Sequence, residues 1–295
     1  MKSEYYQFNL GDFECVSLLD GRFNYPLEAF FTNVPKEQLA ETLRQHDLST
    51  TQIATPYTCL FVNAGRHKVI IDTGAGNLGK AAEEIFPGLD HSTTFTGYLI
   101  QSMEAAGIDP ADIDTVIFTH AHPDHIGGTL DGDGNPVFTN ASYFIANSEW
   151  MFWTSDNAVE QTDPVFVDFA RQNLHPVQDR LNLIEDGAEI VPGIQAIATP
   201  GHTPGHIALS ISSNGHSLLH AADIVLYPLH LEHPDWLPAF DMSPKEAAIS
   251  KRRIFDRAAE EKILVFAHHF PPFPNLGYVV KNRSGWQWQP IRPQS

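Results

Sequence analysis

The chain has 295 residues, 42% of them hydrophobic and 18% charged, which is the composition of a globular protein and excludes a disordered or fibrous one. Acidic residues outnumber basic ones 36 to 18, and the resulting formal charge of −18 opposes binding to nucleic acid or to an anionic membrane surface. Cys15 and Cys59 cannot build a disulfide framework, and no run of about 18 apolar residues predicts a membrane span.

One globular domain over residues 1–295 is expected, because no low-complexity linker or break in composition divides the chain. The N-terminal sequence lacks the apolar stretch of a signal peptide. A cytoplasmic location is therefore the default expectation, with a periplasmic or secreted one left open.

The first half of the chain is predicted to consist mainly of strands, with one helix. A hairpin is expected around a turn at 63–66, followed by a buried strand that ends at Asp72. Residues 94–106 have apolar side chains at helical spacing. The apolar run at 115–119 predicts a short strand, buried on both faces, that leads directly into His120.

The second half repeats this order of strands followed by a helix. Helices are predicted at 164–183 and 243–261, and strands are predicted within 189–213, at 217–226 and at 262–269. Two runs of strands, each followed by helices, favour two packed sheets with helices on the outside.

The most informative segment is residues 120–125, which contains three histidines and one aspartate. His120 and His122 are two residues apart after a strand, so both side chains can point to one side and reach a common metal ion. Asp124 and His125 follow at once and can bind a neighbouring ion. Imidazole and carboxylate groups are ligands that zinc prefers, and cysteine is not required.

Three further candidate ligands each follow a separate apolar run, namely His202, Asp223 and His269. Any one of them alone would be weak evidence, since a single histidine is more often a core or surface residue. Together with residues 120–125 they predict that four strand ends converge on one rim and form a metal site.

These segments resemble those of metallo-β-lactamase-fold hydrolases, through His-x-His-x-Asp-His at 120–125, Gly-His-Thr-Pro-Gly-His at 201–206 and Asp-Thr-Gly at 72–74. The resemblance spans nearly the whole chain. It implies an α/β protein with a four-layer αββα sandwich and two divalent metal ions, most simply zinc, at one edge of the sheets. The implied ligands are His120, His122 and His202 for one ion, Asp124, His125 and His269 for the other, and Asp223 as the bridge.

Two closing segments, HPDWLPAFDMSP and AHHFPPFPNLGYV, are similar to the branch that contains methyl parathion hydrolase and quorum-quenching lactonases. His269 is preferred to His268 because the pattern of that branch resembles histidine followed by Phe-Pro, and because strand alternation sends the two side chains to opposite faces. A tyrosine after the bridging aspartate helps to hold the substrate carbonyl in this branch. Tyr227 is therefore a catalytic candidate here, with His230 beyond it.

Two residues are expected to support the ligands without binding metal. Asp72 and His206 can fix the tautomer and orientation of neighbouring ligands through hydrogen bonds. For Asp72 the alternative is a plain capping role in the turn before Gly74.

The predicted reaction is hydrolysis of a neutral ester, lactone or phosphotriester by a metal-bridging hydroxide, which two divalent ions can generate near neutral pH. Asp124 would also orient the nucleophile or transfer a proton. Basic residues are sparse near the motifs, and aromatic residues in predicted loops favour a small, neutral, apolar substrate. The aromatic candidates for the pocket wall are Phe30, Phe31, Trp150, Phe152, Trp153 and Trp236.

Three alternatives remain open at this point. A glyoxalase II-like thioester hydrolase shares the metal motif, but the basic C-terminal segment that would bind an anionic substrate is not evident. A related dioxygenase would use a single iron ion. A catalytically silent binding protein of the same fold would be expected to lose ligands, whereas all seven positions are filled. The chain is also compatible with a homodimer.

Overall fold

The computed structural model describes residues 4–76, 78 and 95–292. Within them, the N-terminal part of the chain forms one seven-stranded sheet. Its strands, which follow one another in space as in sequence, are β1 (Tyr5–Leu10), β2 (Phe13–Pro26), β3 (Gln52–Ala64), β4 (His67–Ile71), β5 (Thr115–Ile117), β6 (Ser142–Ala146) and β7 (Leu181–Ile184). The first four strands pair antiparallel, and β4 to β7 pair parallel.

The second seven-stranded sheet is built from the C-terminal part of the described chain. Its strands are β8 (Glu189–Val191), β9 (Ile194–Ala198), β10 (Ile207–Ser213), β11 (His216–His220), β12 (Leu264–Phe266), β13 (Leu276–Lys281) and β14 (Trp286–Pro290). Neighbouring strands pair antiparallel except β11 and β12, which are parallel and are connected through the longest helix. A parallel pair needs such a crossover connection.

Helices connect the strands and cover the sheets. Their bounds are α1 (Leu27–Phe30), α2 (Lys36–Gln45), α3 (Leu99–Ala105), α4 (Pro123–Ile126), α5 (Asn147–Thr154), α6 (Ala158–Gln161), α7 (Pro164–Leu174), α8 (Leu229–Glu232) and α9 (Pro244–Glu261), with short 3-10 helices at Pro110–Asp112 and His175–Arg180. In the described part of the chain, every helix is too short or too polar to serve as a membrane span.

Two predicted helices are shorter than the sequence indicated. The one predicted at 94–106 begins at Leu99, because Phe95 instead exchanges backbone hydrogen bonds with Arg22 of β2; residue 94 lies outside the described residues. The one predicted at 164–183 ends at Leu174, since Pro176 has no N–H with which to continue the α-helical ladder. The chain then enters β7, whose first three residues the prediction had included in the helix.

Three groups of buried side chains show how the layers pack. One group combines residues of both sheets, such as Val62 and Leu209, and is the core between them. A second joins the outer face of the first sheet to α3, α5 and α7, and a third joins the outer face of the second sheet to α9. This is the predicted order of helix, sheet, sheet and helix, so the predicted αββα sandwich is confirmed.

A fourth buried group lies at one end of the sandwich. It contains the parts of β2 and β3 that extend beyond β4, together with α1, α2 and apolar side chains from 226–240. These residues form a cap of aromatic and aliphatic side chains beside the strand ends that carry the candidate ligands.

Candidate metal centre

The candidate ligands follow the ends of strands from both sheets, as the sequence predicted. Residues 120–125 follow β5, and Asp72 follows β4. In the other sheet His202 follows β9, Asp223 follows β11 and His269 follows β12. The predicted strand at 217–226 is shorter than expected, because β11 ends at His220 and Ala222 has a positive φ of 45°. Asp223 therefore sits in the turn after the strand.

Three imidazoles form the first cluster of the site. His120 Nε2 lies 3.1 Å from His122 Nδ1, which lies 2.8 Å from His202 Nε2. All three residues are buried, and one ring nitrogen of each lies within 4.8 Å of the others. Donor atoms about 2 Å from a tetrahedral zinc ion would be about 3.3 Å apart, so the spacing fits a common ion.

A second cluster combines carboxylates with imidazoles. His269 Nε2 lies 3.3 Å from Asp124 Oδ2 and 3.2 Å from Asp223 Oδ2. His125 Nε2 lies 3.4 Å from the same oxygen of Asp223. These nitrogen and oxygen atoms also have the types and spacing that a divalent ion requires.

Asp223 lies between the two clusters. Its Oδ2 is 3.5 Å from His202 Nε2 and 4.0 Å from His120 Nε2, in addition to its contacts in the second cluster. One carboxylate oxygen within reach of both sets is what a bridging ligand requires.

Two buried polar atoms of the site have no hydrogen-bond partner among the described residues, namely His125 Nε2 and Asp223 Oδ1. An unpaired buried acceptor is costly in free energy, whereas coordination to a cation compensates for the lost hydration. The donor set and these unsatisfied atoms therefore fit divalent metal ions.

The protonation states of the candidate ligands differ between the two clusters. Burial, together with neighbouring imidazoles, lowers the pKa of His120 and of His122 well below the usual range, so both rings are neutral. Burial alone would raise the pKa of Asp124 and Asp223, but the adjacent histidines lower both pKa values below the usual range. Neutral imidazole and ionised carboxylate are the forms that bind metal, so His120, His122 and both carboxylates are already in that form. Burial alone would lower the pKa of His125 and of His269, but neighbouring carboxylates raise the former well above 6.5 and the latter to about 9. Metal binding there would displace a proton from each ring.

Hydrogen bonds from Asp72 and His206 support two of the candidate ligands. Asp72 accepts a hydrogen bond of 2.8 Å from His125 Nδ1, and its carboxylate also accepts from the backbone N–H and the hydroxyl of Thr119. His206 Nε2 accepts a hydrogen bond of 3.1 Å from the backbone N–H of Asp223. Asp72 thus contacts a ligand ring as predicted, whereas His206 contacts the backbone of a ligand residue.

Two orienting contacts were missed by sequence reasoning. Asp241 Oδ1 lies 3.0 Å from His202 Nδ1, and the carbonyl oxygen of Pro56 lies 3.3 Å from His269 Nδ1. Asp241 lies in the segment HPDWLPAFDMSP that carries the resemblance, but it is 39 residues from its partner and was not singled out there, and a carbonyl oxygen carries no side-chain signal. Both contacts turn Nε2 of the respective histidine toward the site.

His268 and His269 occupy different positions. His269 lines the cavity described below and points Nε2 at two carboxylates. The ring of His268 instead stacks on His125, with centroids 4.0 Å apart, and its two nitrogens have no hydrogen-bond partner among the described residues. His268 is also close enough to belong to the second cluster. The orientation favours His269 as the ligand.

A cavity opens above the two clusters. Its floor includes His122, Asp124, His202, Asp223 and His269. Its wall is formed by Phe23, Tyr25, Phe30, Tyr57, Leu78, Pro123, Phe166, Leu226 and Phe240. None of these described lining residues is a lysine or an arginine.

The aromatic wall was predicted, but most of the residues chosen for it were wrong. Of the six candidates only Phe30 lines the described cavity. Trp150, Phe152 and Trp153 lie on α5 and pack on the core of the first sheet, and Phe31 and Trp236 pack within the cap. Much of the actual wall comes from β2, β3 and α7, whose side chains were not among the candidates.

The tyrosines that line the cavity are not Tyr227, the one that the sequence suggested. Tyr227 packs edge-on against Phe30 and is not among the described lining residues. The role suggested for it therefore has no geometric support, and neighbouring His230 is a core residue whose Nε2 hydrogen-bonds the carbonyl of Phe30. Tyr25 and Tyr57, whose hydroxyls share a hydrogen bond, line the cavity instead.

Comparison with known proteins places the chain in a family. The family model described as the metallo-beta-lactamase superfamily matches residues 54–268, which include all seven candidate ligands except His269. The chain belongs to the metallo-beta-lactamase superfamily.

Curated relatives and solved structures narrow the class. The chain is 26% identical over 223 residues to the N-acyl homoserine lactonase AiiA of Bacillus thuringiensis subsp. kurstaki, covering 72% of this chain and 81% of that one. Among solved structures, the dizinc quorum-quenching lactonase AidC has a TM-score of 0.86 at 26% identity, with 99% of both chains covered. A hydrolase named AbOPH has a TM-score of 0.86 at 28% identity, with 100% of both covered. The protein is a metal-dependent hydrolase that acts on ester-type bonds.

Proposed function

We propose that this protein hydrolyses the ring ester of a neutral N-acyl lactone, using two divalent metal ions, most simply zinc. The proposed ligands are His120, His122 and His202 for one ion and Asp124, His125 and His269 for the other, with Asp223 shared. AiiA is a lactonase and AidC is a dizinc lactonase, which supports the substrate class and the number of ions proposed here.

The observation that carries the proposal is the contrast between floor and wall in one cavity. The floor is a dense group of metal-binding side chains, and the wall is almost entirely aromatic or aliphatic. An apolar wall stabilises an acyl chain by removing it from water, at about 0.8 kcal/mol per buried methylene group. Without a lysine or arginine among the described lining residues, an anionic substrate would have no counter-ion on the wall.

When bound, the metal ions would supply Lewis acidity for the ester carbonyl and would acidify water. The protein's own contribution begins with Asp124, which lines the cavity. Its carboxylate can accept a proton from the attacking water and deliver it to the oxygen released when the ester C–O bond breaks. Water is thereby added across the ester, and the product is a hydroxy acid.

Tyr25 and Tyr57 provide hydroxyl groups on the wall. Burial raises the pKa of both phenols well above 10, and the nearby Asp124 raises them further. Both groups therefore remain protonated and cannot act as bases, and one of the two hydroxyls uses its proton in the hydrogen bond that they share. The Tyr57 ring lies 5.2 Å from that of His269, so this hydroxyl pair is placed to hold a carbonyl oxygen beside the clusters.

The test is a matched substrate comparison with the zinc-loaded protein. We expect kcat/KM for an N-acyl homoserine lactone to exceed that for an analogue with a terminal carboxylate on the acyl chain by at least about tenfold, equal to about 1.4 kcal/mol. High salt should narrow the difference, because it screens repulsion by the acidic protein. Equal turnover of the anionic analogue at low salt would contradict the proposed substrate class. A higher kcat/KM with a thioester than with the lactone would identify the protein as a thioester hydrolase instead.

A further inference from the structure

A buried glutamate connects the two loops that carry the first histidine cluster. Glu149 lies on α5 and is fully buried, although the sequence offers no motif around it. Its Oε1 accepts hydrogen bonds from the backbone N–H of Ala121, at 2.8 Å, and from Trp153 Nε1, at 2.7 Å. Ala121 is the residue between His120 and His122, so this carboxylate oxygen holds the backbone between two candidate ligands.

The other carboxylate oxygen holds the loop after β9. Glu149 Oε2 accepts from the hydroxyl of Thr203, at 2.7 Å, and from the backbone N–H of Gly205, at 2.9 Å. Thr203 directly follows His202, the third member of the cluster. One side chain thus connects a loop of the first sheet with a loop of the second sheet.

The packing around Glu149 leaves little freedom for this connection. A Cβ atom at position 205 would lie 2.1 Å from the backbone nitrogen of Glu149, so only glycine allows this approach. Four donors point at two carboxylate oxygens, which satisfies the ionised group without any donor from solvent. Hydrogen bonds to a charged acceptor are shorter and stronger than neutral ones.

We propose that Glu149 is the positioning residue that brings His120, His122 and His202 to metal-binding distance before an ion arrives. The proposal rests on the metal-binding function proposed above. The three histidines come from different sheets, and in the described structure the Glu149 carboxylate bonds to both of the loops that carry them. Holding ligands in place in advance reduces the ordering that metal binding would otherwise require.

The experiment compares wild type with Glu149→Gln, which keeps the size of the side chain but turns one acceptor oxygen into a donor. Cobalt(II) affinities would be measured by titration against a competing chelator and by the absorption bands of the bound ion. We expect one of two metal equivalents to bind at least about tenfold more weakly in the variant, while the other changes less than about twofold. Thr203→Val removes a single donor and should show a smaller loss at the same site.

Asp20→Asn is the matched control. Asp20 is also a fully buried carboxylate, and it accepts hydrogen bonds from the backbone N–H groups of Ala75, Gly97 and Leu99, none of which lies in the two ligand loops. This variant should unfold at lower temperature while the metal affinity of the site formed by His120, His122 and His202 stays unchanged.

The outcomes separate the two proposals. If Glu149→Gln lowers the unfolding temperature but binds both ions like wild type, the carboxylate is merely structural and the positioning role is wrong. If wild type itself fails to bind two ions, the proposed metal centre is wrong instead. Should Glu149→Gln fail to fold, an unchanged cobalt affinity in Thr203→Val would overturn the positioning role, and a selective loss would support it.

Discussion

The floor and the wall of the cavity are built in different ways. The floor exposes five of the seven proposed metal ligands, which lie in the loops that follow strand ends, and the ligands are oriented by hydrogen bonds such as that between Asp72 and His125. The wall consists of apolar and tyrosine side chains from β2, β3, α7 and the cap, which are held mainly by packing. Directed hydrogen bonds thus fix the side chains of the floor, whereas the fit of apolar surfaces fixes those of the wall. Substitutions in the floor should accordingly abolish hydrolysis, and substitutions in the wall should change the preference among substrates.

The largest effect is expected within the floor. His269→Phe should lower kcat/KM at least about a thousandfold and lose one metal equivalent, because Lewis-acid stabilisation is worth several kcal/mol. His268→Phe preserves the stacking on His125 and should retain most activity and both ions. Elemental analysis and initial rates measure the two effects. The reverse pattern would show that His268 is the ligand.

A substantial but smaller effect is expected where the wall meets the floor. Tyr57→Phe keeps the ring and removes the hydroxyl, so kcat/KM should fall on the order of a hundredfold, the usual cost of one hydrogen-bond donor to the developing oxyanion. Metal content should be unchanged. Tyr227 lies outside the described cavity lining, so Tyr227→Phe should lower kcat/KM less than about twofold. Equal losses of kcat/KM in both variants would show that the Tyr57 hydroxyl does not hold the substrate oxygen.

A still smaller effect is expected in the wall proper. Wild type should gain up to about fourfold in kcat/KM for each methylene group added to the acyl chain, the value of about 0.8 kcal/mol. Phe240→Ala should flatten this dependence on chain length while leaving the rate with the shortest substrate nearly unchanged. A uniform loss at all chain lengths would mean that Phe240 supports the floor instead.

The smallest effect concerns His220 at the end of β11, and it should be visible in stability rather than in activity. Burial lowers its pKa to about 4, and neither ring nitrogen has a hydrogen-bond partner among the described residues. Since the unfolded value is about 6.5, the stability provided by the neutral ring is present above that pH and is lost as the pH falls toward 4. At pH 5 the loss amounts to about 2 kcal/mol.

His220→Phe should therefore unfold at higher urea concentration than wild type at pH 5, with a smaller difference at pH 7.5. The measurement uses protein freed of metal by a chelator, so that ligand protonation does not contribute differently to the two proteins. Parallel loss of stability in both proteins between these pH values would show that His220 is not the acid-sensitive group.

Local signals in the sequence predicted much of the fold. The hairpin around Gly65, the short strand β5 and the long helix α9 are marked by turn residues, apolar runs and spacing that act within a few residues of one another. One error arose from a distant contact, and the others arose from local backbone features, namely Pro176 after α7 and the positive φ of Ala222 after β11. Phe95 pairs with Arg22 instead of entering a helix, and Ala222 leaves the extended conformation so that Asp223 can reach the clusters.

The sequence by itself determined the chemistry of the floor, because metal ligands are identified by residue type and their positions after strands follow from short-range pattern. Only the tertiary structure decided which side chains surround it. Tyr25 and Tyr57 are 32 residues apart, and Glu149 is 54 residues from Thr203, so no local pattern connects them. Their proximity results from the packing of two sheets and a cap, which depends on the sum of many weak contacts rather than on any one motif.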